Sequence, residues 1–113
     1  MKRGYLLLLV MAPAIAFPVW TQGEMSKAQE AAIEQAASRD LRDPGSAQFR
    51  NLVRLVSDQG GEAYCGEINA KNAFGGYTGF VRFYYNPKVS ERVIREDGDG
   101  ADPMIVQVGC TPN

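Results

Sequence analysis

Two cysteines, Cys65 and Cys110, set the tightest constraint on what this chain can fold into, because they are the only two it has. One intramolecular pairing is possible. It would close a loop of about 45 residues, a closure the chain-entropy model values at roughly 4 kcal/mol. A chain of 113 residues has room for one domain, and for a domain that small the bridge is a large share of total stability. An even pair is normally joined in an oxidising compartment. The competing role is a catalytic or metal-binding thiol. With no histidine and no second cysteine close by, little supports it.

The other end of the chain points to that compartment. Lys2 and Arg3 form a positive start, and Tyr5 begins an apolar run that continues through Ala12. Ala14, Ile15 and Ala16 then match the small-x-small pattern of a leader-peptidase site, so residues 1–16 read as a signal peptide and Phe17 as the mature terminus. The alternative is an uncleaved anchor through Trp20. It offers about sixteen residues interrupted by Pro13 and Pro18, whereas a spanning helix needs roughly twenty apolar residues. The expected location is periplasmic or secreted, with membrane association only if the leader is retained.

Cleavage removes two of the 12 basic residues and none of the 13 acidic ones, leaving the mature chain at net −3. Nucleic acid and anionic membrane are therefore poor partners. The lack of histidine removes the usual general base, the usual proton switch and the commonest metal ligand together. No cofactor is expected.

Residues 17–25 read as a linker. Ser26 and Gln29 then form a capping box, and residues 27–42 are rich in strong helix formers, with Ile33, Ala37 and Leu41 on one narrow apolar face. Asp43-Pro44-Gly45 ends that helix, and Ser46 belongs to a short turn. From Phe49 the texture becomes β, with strands expected at 49–56, 63–71 and 78–85, and a strand or short helix at 89–95. A turn at 97–102 and a last strand at 104–109 follow. The expected fold class is α+β: one helix packed on a four- to five-stranded antiparallel meander, in a single domain at 26–113, bridged from the second strand to the last.

Four groups of residues invite a chemical reading. If 65–71 is a strand, Glu67, Asn69 and Lys71 share one side, a row able to bind a polar ligand. Glu67 and Lys71 are also the acid/base pair that a small hydrolase or lyase would need. A solvated sheet face with a cross-strand ion pair accounts for the same row. Gly75, Gly76 and Gly79 suit a tight turn and a bulge better than a phosphate loop, because no helix follows them. The aromatics Tyr64, Phe74, Tyr77, Phe80, Phe83, Tyr84 and Tyr85 fill the core on one side of a strand and leave an apolar strip on the other. The acids from Glu96 to Asp102 alternate as in a calcium loop, but Val108 stands where the closing glutamate belongs. That run reads as a solvated turn, and no metal site is expected.

Two stretches, residues 41–50 (LRDPGSAQFR) and residues 65–80 (CGEINAKNAFGGYTGF), resemble a pattern in short, exported, uncharacterised proteobacterial proteins. The resemblance implies export and a shared fold, and it carries no activity. From the residues themselves, the leading expectation is a non-catalytic binding module for a protein or envelope component. Its expected contact residues are Glu67, Asn69, Lys71, Asn72, Tyr77, Phe80 and Tyr84. The small hydrolase or lyase using Glu67 and Lys71 is the alternative.

Overall fold

The computed structural model describes residues 17–111, so the expected leader at 1–16 lies outside the described residues. Five strands form one sheet in sequence order, every neighbouring pair antiparallel: β1 (Trp20–Gly23), β2 (Gln48–Ser57), β3 (Glu62–Asn69), β4 (Val81–Tyr85) and β5 (Ile94–Arg95). Two α-helices accompany it, α1 (Lys27–Ser38) and α2 (Asp102–Gly109), with a 3-10 turn at Pro44–Ser46. The α+β class and the meander are present.

α1 opens on a reciprocal cap. The Gln29 amide donates to Ser26 Oγ at 3.1 Å, and the Ser26 amide donates to Gln29 Oε1 at 2.9 Å. The helix ends four residues short of Arg42. The Ser38 hydroxyl donates to the Glu34 carbonyl at 2.7 Å, and the Leu41 amide bonds Ser38 O in a tighter turn before Pro44.

Four expectations are corrected. Within the supposed linker at 17–25, Trp20–Gly23 pairs with Arg54–Ser57 of β2 as an edge strand, so the sheet begins ahead of α1. The segment expected as a last strand is α2. Val and Ile suggest strand by propensity, but Pro103 at the helix start needs no amide partner there. Asp102, Val106, Gly109 and Cys110 are the more sheltered positions and Met104, Ile105 and Val108 the exposed ones, a helical period rather than a period of two. As a consequence the disulfide runs from Cys65 in β3 to Cys110 at the end of α2, with a Cα–Cα distance of 5.8 Å, and not to a strand. The third strand is also shorter than expected, starting at Val81.

Alternation along β3 and β4 separates two layers. On one side Tyr64, Ile68 and Phe83 pack with Ile33 and Ala37 of α1, flanked by Phe49, Leu52 and Tyr85. Phe49 meets Phe83 edge-on at 6.4 Å. On the other side Cys65 and Tyr84 meet Cys110 and Gly109 of α2. The register slips between Arg50 and Val53, where Asn51 takes φ 56° and two β2 residues oppose Gly66. A methyl group on Gly66 would lie 2.5 Å from Leu52 Cδ2 and 3.0 Å from the Phe83 ring, so glycine lets both side chains close over the strand.

Candidate functional site

The chain leaves β3 at Asn69 and turns back on itself before β4. Lys71 and Tyr77 pair across an isolated antiparallel bridge, making a small hairpin with residues 72–76 at its tip. Asn72 shapes that tip. Its Oδ1 accepts from the amides of Phe74 (2.9 Å) and Gly76 (3.1 Å), and its own amide donates to Gly76 O at 2.9 Å. Gly75 takes φ 81°, which glycine adopts freely. At the base, buried Asn69 accepts from the Gly79 amide at 2.9 Å and donates to Gln48 Oε1 at 3.3 Å.

The hairpin is fastened to the 3-10 turn by one residue. Ser46 Oγ accepts from the Lys71 amide at 3.0 Å, and the Ser46 carbonyl accepts from the Tyr77 hydroxyl at 3.1 Å. Arg50 lies 3.8 Å from the centre of the Phe80 ring, a cation–π contact, and donates from Nε to Glu67 Oε2 at 2.9 Å. Thus residues 41–50 and 65–80, distant in sequence, form one corner of the molecule. At its tip the amides of Asn72, Phe74, Gly75 and Gly76 all donate hydrogen bonds within the loop, while Phe74 projects with 95% of its surface exposed.

The expected contact residues divide in this geometry. Asn72 spends its side-chain oxygen on the hairpin tip, Asn69 bonds Gly79 and Gln48, the Tyr77 hydroxyl is committed to Ser46 O, and Phe80 is covered by Arg50. Lys71 stays beside the Tyr77 ring, its Nζ 5.7 Å from the centroid. Tyr84 lies elsewhere, under α2, where a methyl on Gly109 would come within 2.6 Å of its ring. Glu67 and Lys71 do not share a concavity. Glu67 faces the side of Asn51, Cys65 and Arg82, while Lys71 lines a cleft of about 290 Å³ with Leu41, Ile68, Ala70 and Thr78. The expected alternation stops at Asn69, where the strand ends, which is why the two part. Hydrogen bonds from Asn51 and Arg50 hold the Glu67 carboxyl below the usual carboxylate range.

Ser46 and Phe74 are the residues that reasoning from sequence undervalues. Ser46 follows Asp-Pro-Gly and is legible as a turn, but its partners 25 and 31 residues away are not. Phe74 between small residues at a loop tip is a readable signal of an exposed ring.

A second apolar surface lies on the α2 side. Met104 and Val108 are each 69% exposed, and Val108 borders a groove of about 230 Å³ with Trp20, Leu55, Ala63 and Tyr84. Among the described residues, no group of three or more histidine, cysteine or acidic side chains is placed to hold a metal ion. Asp97 pairs with Arg95 and Asp102 with Arg92. No helix among the described residues is long and apolar enough to cross a membrane. The chain matches no family model, no curated protein and no solved structure.

Proposed function

We propose that this chain is an exported, non-catalytic binding module, periplasmic or secreted, that engages a partner protein through the 69–79 hairpin. The observation that supports this most is Phe74: a ring almost wholly in water, carried on a loop whose backbone is fixed by Asn72, Asn69 and Ser46. An exposed ring contributes nothing to the core. Fixing a loop costs conformational entropy, about 1–2 kcal/mol per residue for backbone alone. A rigid, exposed aromatic is the form that binding anchors take, because the ordering cost is met before the partner arrives. The disulfide suits an oxidising compartment, and the leader sequence suits the route to it.

Site-specific photocrosslinking tests this. A benzoyl-phenylalanine at position 74 of the exported protein, in its native envelope, is expected to give a discrete adduct with a second protein. The adduct is expected to disappear when Asn72→Ala loosens the tip, and to be absent when the probe replaces Val89, an apolar residue that is also largely exposed. No adduct at 74, or the same adduct from 89, would remove the proposal.

A further inference from the structure

Beside the hairpin, the cleft between the end of α1 and the loop 70–78 has a floor of Leu41, Ile68 and Ala70. Three cations and two carboxylates line it. Arg95 is committed to Asp97 through two contacts, Nε to Oδ1 at 2.9 Å and Nη2 to Oδ2 at 2.6 Å. Arg42 and Lys71 have no carboxylate partner among the described residues. The remaining acid is Asp40, so the charges outside the Arg95–Asp97 pair favour an anion, in a mature chain that is itself acidic. Thr78, exposed on the cleft wall, adds a hydroxyl able to donate.

We infer that this cleft binds a carboxylate attached to an apolar group, such as the end of a peptide segment from the partner, with the carboxylate between Lys71 and Arg42 and the apolar part on Leu41 and Ala70. A planar guanidinium and an ammonium are the two side chains that recognise carboxylates most strongly. The amide of Lys71 is held by Ser46 and that of Leu41 by Ser38, so the backbone carrying both walls is in place before binding. The inference rests on the binding-module reading and supplies its chemistry: Phe74 offers the apolar anchor and the cleft offers a charged one.

The test uses the isotope-labelled mature protein with its disulfide intact and N-acetyl-leucine as probe, followed by amide NMR shifts. Saturable shifts are expected at Leu41, Lys71 and Thr78. N-acetyl-leucinamide, which lacks the charge, is expected to bind at least about tenfold more weakly. Lys71→Gln combined with Arg42→Gln is expected to abolish the shifts, while Arg42→Lys retains them. The same spectra report whether each variant is folded. Equal responses to acid and amide, or shifts confined to the α2 groove, would overturn the inference. A position-74 adduct that survives such a failure would leave the binding module standing without this cleft.

Discussion

Strand β3 and the hairpin that follows it are consecutive in the chain and are held in opposite ways. From Ala63 to Asn69 all residues but Glu67 are buried, with a neighbour strand on each side, a core layer beneath and a disulfide above. From Lys71 to Tyr77 no residue is buried, yet the backbone is ordered by hydrogen bonds: Asn72 Oδ1 accepts from Phe74 and Gly76, Ser46 Oγ accepts from Lys71, and the Tyr77 hydroxyl ties the hairpin to Ser46 O. Burial explains order in the first segment because it also stabilises the fold. In the second segment order brings little apolar burial with it, and that difference is what supports the proposal that the hairpin is a contact surface.

The comparison is broken most severely in β3. Replacing both Cys65 and Cys110 by serine is expected to lower unfolding stability by about 4 kcal/mol and to free α2, whose N-cap residue makes no side-chain cap bond. Denaturant titration measures the first effect and amide exchange across 102–109 the second. Gly66→Ala drives a methyl into Leu52 and Phe83, and about 1–3 kcal/mol of destabilisation is expected by the same titration.

Acid sharpens it next. Glu62, Glu67 and Glu96 all titrate below the usual carboxylate range. The first is lowered chiefly by the Tyr64 hydroxyl and then Arg54, the second by Asn51 and Arg50, the third by the Arg82 amide and guanidinium. Their native-state pKa values are depressed, so the stability they add is present above the unfolded carboxylate value of about 4.3. It is lost as pH falls from there through the native values. All three pair with arginines on strands, Glu62 and Glu67 with Arg54 and Arg50 of β2 and Glu96, just beyond β5, with Arg82 of β4, so a melting series from pH 6 to pH 3 is expected to weaken the sheet while leaving the hairpin's neutral bonds intact.

The hairpin itself responds least. Asn72→Ala removes an acceptor of two amides in an exposed loop, and about 1 kcal/mol of stability is expected to go with it, together with loss of order at 72–76. Phe74→Ser is expected to change stability by about 0.5 kcal/mol or less in the same denaturant titration, because nothing in the fold leans on the ring.

Much of this architecture is legible in the amino-acid sequence. The capping box of Ser26 and Gln29, the aromatic run from Phe80 to Tyr85 and the single cysteine pair each act locally or by elimination, and each is found in the fold. What cannot be read there depends on long-range choices. β1 is four residues long and exists because β2 offers it an edge. α2 is apolar and β-branched, and it becomes a helix with Pro103 at its first turn and Tyr84 and Cys65 to pack against. The row Glu67, Asn69, Lys71 looks continuous in sequence because the end of β3 at Asn69 is decided by Gly79 and Gln48, neither adjacent in the chain. Ser46 shows the same limit: its two bonds to the hairpin are tertiary, and no local pattern announces them.

Backbone nitrogen relaxation across residues 69–79 of the protein with its disulfide intact addresses the proposed pre-formed anchor most directly. Strand-like order parameters near 0.85 at Asn72, Phe74 and Gly76, alongside fast rotation of the Phe74 side chain, are the predicted result. Values below about 0.6 at those three amides would contradict it, since a loosely tethered ring in water is only an exposed residue and not a docking device.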